Sequence, residues 1–397
     1  MHASVSRAVS SAGGVRGALE LFSTVTLGVV GYGVYLGLPV ILGALARAMH
    51  LDDGHIGWLA SFELAGLTIG SLVIAKCLPF VAARRLATVA IVLALVLNGV
   101  SAFVADFAVL CGLRMLAGFA GGACYSLSLA GLAWFGDMNR NSSVLGTGFV
   151  LVGSAEIAAV PWLDQRYGVH AVFLLLVCMY AVTGLLLRFF PREAKASDAE
   201  SHAAPASLRS SNVIGGIGLA CLLAIAIFNA SATMFWTYVE RLGGTIGLSS
   251  AFVAGTLNVS NLATLASTWL ALLLARRFGL HLTQIVGLGI TAAVVATWSL
   301  SAPPADFAVR VFLWFQILAI CIVHQISMLG TLDRSGRLAA LLPAAQGVGQ
   351  SIGPLAGGFL FTIGLGFREQ LAAEAVLLVA TALIFASVFW RARRPNP

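Results

Sequence analysis

Charge is what this chain of 397 residues most lacks. Asp, Glu, Lys and Arg make up 10% of it, where a soluble globular chain carries about a quarter. With 59% hydrophobic residues, a soluble fold of this length has more apolar surface than it can hide, so lipid must be the solvent for much of it. Paired cysteines are absent too. Cys77, Cys111, Cys124, Cys178, Cys221 and Cys321 stand singly in apolar runs, which argues against both a disulfide framework and a zinc site. No GxxxxGK[ST] string occurs, which disfavours nucleotide-driven work. No nucleophile–base set or metal-ligand cluster stands out, and the loops are too short to hold one. Neither an enzyme nor a cofactor is expected. A net charge of +7 raises the question of nucleic acid, but the basic residues form short clusters between apolar runs, with no basic face. No nucleic-acid partner is expected.

What the chain has is apolar runs of about 20 residues, the length that crosses a hydrocarbon core. They fall at 21–45, 56–80, 86–104, 107–135, 142–163 and 169–190, and again at 214–239, 249–275, 283–301, 307–329, 338–363 and 369–390. This predicts an all-α integral membrane protein of twelve spans. The first run is too long for a signal-peptide core and lacks a cleavage site. Counting Lys and Arg by loop puts 17 on the side of the termini and five opposite, with Arg114 inside a span. The positive-inside bias therefore predicts cytoplasmic termini in a plasma (inner) membrane. The polar stretch 191–213, rich in Ala, Ser and charge, reads as a flexible cytoplasmic linker. It separates bundles at 21–190 and 214–390, with tails at 1–20 and 391–397.

The two bundles echo each other. Ala105-Asp106-Phe107-Ala108-Val109 recurs as Ala305-Asp306-Phe307-Ala308-Val309 at the start of spans 4 and 10; Asp137 answers Asp333, and Arg84-Arg85 answers Arg276-Arg277. Three landmarks in register favour a duplicated six-helix unit. Span 4 carries Arg114-Met-Leu-Ala-Gly118, which resembles the RxxxG motif of major facilitator transporters. Span 11 carries Gly349-Gln-Ser-Ile-Gly353-Pro354-Leu-Ala-Gly357-Gly358, similar to a glycine–proline string that antiporters of that family hold in span 5, where this chain keeps only Gly153. Of the family's loop signature between spans 2 and 3, Arg84-Arg85 remains. The resemblance implies two pseudo-symmetric six-helix bundles, with a substrate site between them near midplane. It also implies secondary active transport of a small-molecule substrate by a lipid-embedded monomer, with H+ as the coupling ion.

Ionisable groups inside a span are costly and by default mark function. Glu63 of span 2, Arg114 of span 4 and Glu156 of span 5 each lie seven residues from the same surface, roughly 10 Å deep at 1.5 Å per residue. One depth suggests one charge cluster, either proton-coupling or a static salt bridge that fixes packing. The candidate substrate lining is Tyr32, Tyr35, Asn98, Asn229, Asn258, Asn261, Gln316, Gln346 and Gln350, each of which could instead bond helix to helix. As a set they suit a small organic solute, neutral or singly charged. Gly118, Gly349, Gly353, Pro354 and Gly357 are candidate packing or hinge positions, as are Pro39 and Pro161. Trp236 and Tyr238 are expected in an interfacial belt, with Glu240 solvated beyond them. Cys321, His324 and Met328 share a helix face, as a soft ion such as Cu(I) would need, but core packing is favoured and no metal site is expected. A uniporter, a nutrient or copper importer, and a membrane receptor or sensor remain as alternatives.

Overall fold

The computed structural model describes residues 2–135, 138–191, 216–301, 303–332 and 337–393. The expected linker at 191–213, apart from its first residue, and the Asp137 and Asp333 landmarks lie outside them. Within the described residues the fold is all-helical, with no strand. Nine helices there are long and apolar enough to cross a membrane. Two shorter apolar helices, Leu38–Met49 and Leu280–Ala296, and the helix Arg337–Thr362 complete a set of twelve spans.

Span 1 departs from the expected continuous helix. It runs as His2–Gly31, Gly33–Leu36 and Leu38–Met49, interrupted at Tyr32 and Gly37. Three glycines within seven residues, at Gly31, Gly33 and Gly37, weaken helix propensity there. Pro39 sits in the first turn of the last segment, where the missing N–H costs nothing. Pro161, Pro343 and Pro354, by contrast, are carried inside continuous helices.

The remaining spans are Asp53–Cys77 (span 2), Ala83–Ser101 (3), Phe107–Leu132 (4), Met138–Tyr167 (5), Val169–Leu186 (6), Gly216–Thr245 (7), Ser250–Phe278 (8), Leu280–Ala296 (9), Pro304–Leu332 (10), Arg337–Thr362 (11) and Phe367–Arg393 (12). Spans 2 and 4 form the tightest seam. A Cβ on Gly66 or Gly70 would run into the backbone of Met115 or Phe119, and one on Gly118 or Gly122 into the carbonyls of Glu63 and Leu67. Glycines thus alternate across the seam and let two backbones touch, which is how helices pack without a hydrophobic drive in lipid. Gly349 and Gly353 set span 11 against the Ala226 and Ala230 carbonyls of span 7 in the same way.

Spans 1–6 and 7–12 form two halves that meet along spans 2 and 11, 1 and 7, and 5 and 8. Span 7 is the most enclosed of the long spans, with 67% of its apolar window buried. Below, the end of the bundle that carries Arg47, Asp53 and Glu240 is called the far face, opposite the termini.

Candidate functional site

Below the far face of the first half, Glu63 and Arg114 form a buried ion pair across the span 2–span 4 seam. Arg114 also donates to Asn98 Oδ1 of span 3 at 2.8 Å, while the Asn98 amide donates to the Ala94 carbonyl. The guanidinium lies 5.7 Å from the Phe173 ring of span 6. Four spans therefore converge on one cation, and the glycines at Gly66 and Gly118 bring its carboxylate close enough to pair. Asn98 belongs to this cluster and lines neither of the cavities between the halves.

Glu156 is not part of that pair. Its side chain packs against Gly33 and Gly37, where span 1 is broken, and is 2% exposed. Among the described residues neither carboxylate oxygen has a hydrogen-bond partner. The expected three-charge cluster is thus a pair plus a separate acid. Helix rotation turns Glu63 toward span 4 and Glu156 toward span 1.

Aromatic and amide groups fill the space between the halves. Tyr32 sits 4.8 Å from Tyr35, 4.9 Å from Tyr125 and 5.4 Å from Phe149 by ring centroids. Its hydroxyl meets Gln350 Nε2 at 3.0 Å across the halves, and the same amide reaches Asn229 Oδ1 at 3.4 Å. Asn261 donates to the Val150 carbonyl and to Ser154 Oγ, both at 3.0 Å, joining span 8 to span 5. One cavity of about 170 Å³ opens beside Tyr32, Tyr125, Gln346 and Gln350. A second, about 240 Å³, is walled by Tyr35, Asn229, Trp236, Asn261, Trp314 and Phe315. Gln316 lies away from both, accepting from Ser267 Oγ at 2.7 Å and donating to the Ser260 carbonyl at 2.9 Å, so it ties span 10 to span 8. Asn258 lines neither cavity, and its side-chain oxygen is buried with no partner among the described residues.

The far face is clasped shut. Arg47 pairs with Glu240 at 2.7 Å across the halves and with Asp164 at 3.0 Å. Arg241 pairs with Asp53 at 2.7 Å. The Tyr238 hydroxyl lies within 3.2 Å of both the Asp53 and Pro354 carbonyls, and Gly57, Gly357 and Gly358 let spans 2, 7 and 11 close around it. This corrects the expected interfacial belt. Trp236 lines the second cavity and donates to the Tyr35 carbonyl at 2.9 Å. Tyr238 is buried, and Glu240 is buried and paired instead of solvated. The opposite half covers the end of span 7, which a reading of one span at a time does not reveal.

His324 is buried with its ring nitrogen 3.0 Å from the Ala271 carbonyl, which serves core packing; among the described residues no His, Cys and acid group has metal-site geometry. Three residues outside the expected set prove to matter. Trp314 and Phe315 wall the second cavity. Glu374 of span 12 is fully buried, and it carried the same signal as the other acids, an ionisable residue within an apolar run.

The family model described as Major Facilitator Superfamily matches residues 24–333. No curated protein sequence matches the chain significantly. Among solved structures, the chain is similar to the nucleoside transporter NupG, with a TM-score of 0.75 at 12% identity over 93% of this chain and 98% of that one. It is similar to a D-xylose–proton symporter, with a TM-score of 0.72 at 16% identity over 92% and 97%. A bacterial homologue of the human lysosomal transporter Spinster, inward-facing and occupied, gives 0.70 at 13% over 95% and 98%. At such identities these likenesses speak to the fold.

Proposed function

Since the chain belongs to the Major Facilitator Superfamily, whose members are transporters and not enzymes, we propose that it carries a small organic solute by alternating access and that Glu156 couples the movement to protons. The observation that carries this is a buried acid with no side-chain partner among the described residues, held against the broken part of span 1. That span also reaches the space between the halves through Tyr32 and Tyr35. A buried carboxylate with no cation beside it is costly as an anion. Taking up a proton removes that cost, and rearrangement of span 1 changes the access of water to it. Glu63 is committed to Arg114, so Glu156 is the better candidate for the titrating group.

The solute suits the walls. Tyr35, Trp236, Trp314 and Phe315 offer ring faces, and Asn229 and Asn261 offer amides. That combination fits a small, flat organic molecule, neutral or singly charged, with a few hydrogen-bonding groups. One structural neighbour is named as a D-xylose–proton symporter, so the fold accommodates coupling to protons. In the orientation that the Lys and Arg bias favours, with both termini cytoplasmic in a bacterial inner membrane, the clasped far face is external and closed.

Proteoliposomes with an imposed pH gradient and a panel of radiolabelled organic solutes test the reading. The wild type should move at least one solute in response to the gradient. Glu156→Gln should keep solute counterflow and lose the pH response. Full pH-driven transport by Glu156→Gln removes Glu156 as the coupling group, and electrogenic, pH-independent movement by the wild type makes the protein a uniporter.

A further inference from the structure

The transport reading uses acids of the first half and leaves one in the second half unexplained. Glu374 lies on span 12, seven residues past its start at Phe367, and is 0% exposed. Its Oε1 accepts a hydrogen bond from Trp314 Nε1 of span 10 at 3.1 Å. Its Oε2 has no partner among the described residues.

The charged groups described on the elements around it are paired elsewhere or lie at the ends of their helices. On span 7, Glu240 is tied to Arg47, Arg241 to Asp53, and the Tyr238 hydroxyl to the Asp53 and Pro354 carbonyls. Span 7 offers Glu374 only the Ser231 hydroxyl, which reaches its backbone carbonyl at 3.4 Å. On span 10, Arg310 holds Asp306 and the Val294 carbonyl, and His324 holds the Ala271 carbonyl. Span 9 contributes His281, in its first turn and stacked on Phe389 at 4.5 Å. Span 11 has no charged residue between Leu338 and Thr362. On span 12 itself, Arg368 and Glu369 lie in the first turn, and Glu369 caps the Gly366 N–H.

We infer that Glu374 is a proton-binding site in the second half, linked to the cavity between the halves through Trp314. A metal cation needs several oxygen ligands, and among the described residues this carboxylate offers one unpartnered oxygen and belongs to no metal-binding group; a proton fits. With the proton on Oε2, Oε1 is the carbonyl oxygen that accepts from the indole, and no net charge is left in the dry interior. The Trp314 ring lies 4.5 Å from Phe235 and forms part of the cavity wall. A solute that packs on this wall and a proton on Glu374 therefore act on the same indole, and each changes the affinity for the other by the same factor. The inference rests on the alternating-access reading in one respect, because a site closed to water in this conformation must open in another to exchange its proton.

Infrared difference spectra of the purified full-length protein in lipid, recorded across a pH step, test the site separately from transport. A protonated-carboxyl band should be present in the wild type and lost in Glu374→Gln. In Trp314→Phe the carbonyl loses its donor, and the same band should move to higher frequency. Glu156→Gln should keep it. An unchanged spectrum in Glu374→Gln overturns the inference, as does a band that stays in place in Trp314→Phe. Disappearance of the band in Glu156→Gln also overturns it, by assigning the signal to the first half. Loss of pH-driven transport in Glu156→Gln bears on the coupling reading alone.

Discussion

Two acids of the first half differ in surroundings, so the same substitution should affect them differently. Glu63→Gln removes the partner of Arg114 and leaves a buried guanidinium supported by Asn98 and the Phe173 ring. Breaking a buried pair from one side costs about 3–5 kcal/mol, to be read as a large fall in the midpoint of thermal unfolding in detergent. Adding Arg114→Gln should recover part of the loss, because contacting residues are not additive. A Glu63→Gln protein as stable as the wild type would show that the pair does not hold the seam. Glu156→Gln breaks no side-chain pairing among the described residues and should shift stability by no more than about 1 kcal/mol. The apolar-run rule was enough to find Glu63, Arg114 and Glu156. It could not say which acid is paired, because that depends on how each helix is turned about its axis, and packing decides the turn. Glu374 carries the same signal, but an acid five residues inside the expected start of span 12 reads easily as part of the adjoining loop.

At the scale of the helix, the alternating glycines of spans 2 and 4 set a tolerance that substitution can measure. Gly122→Val places side-chain atoms against the Leu67 backbone, which cannot retreat as a flexible side chain would. Overpacking of this kind costs about 1–3 kcal/mol or more. Gly112, on the same span, has open space around its would-be Cβ, and Gly112→Ala should be neutral or stabilise by up to about 1 kcal/mol. Thermal unfolding of the two variants side by side checks the seam; equal midpoints would remove it. Twelve spans were legible because a hydrocarbon core imposes its thickness on every crossing. The break in span 1 was less so. Its glycines are visible in the sequence, yet glycine is common in membrane helices, and here only the neighbouring Glu156 and Tyr125 show which of them interrupt the helix and which let it pack.

For the whole molecule, the clasp at the far face sets the balance between conformations. Arg47 and Arg241 are 41% and 33% exposed at the side chain while their acid partners are more buried, so each pair is worth at least a surface value of about 0.2–1 kcal/mol. Arg47→Ala with Arg241→Ala should therefore shift the equilibrium toward an open far face by about fivefold, the factor for about 1 kcal/mol. Spin labels at Gln165 and Ser299, one in each half, would report this as growth of a longer-distance population. Added salt should act on the wild type in the same direction, and an unchanged distance distribution in the double variant would remove the clasp. Duplication was legible from the repeated Ala-Asp-Phe-Ala-Val string, but closure was not. Trp236, Tyr238 and Glu240 owe their burial to residues about 190 positions away in the chain, and no local pattern carries that information.

The hydrogen bond from the Trp236 indole to the Tyr35 carbonyl has a consequence for solute choice. It crosses the halves beside the larger cavity, at the break in span 1, where Pro39, four residues on from Tyr35, has no N–H to give that carbonyl. When the halves separate at the far face, that carbonyl needs another donor. A solute with a hydroxyl or amide N–H at this spot would supply it, whereas a hydrocarbon of the same shape would leave the acceptor unmet. Selectivity of this kind is exercised by the open state, before the solute is enclosed: the cargo stands in for the protein's own indole and gives the place back when the far face shuts.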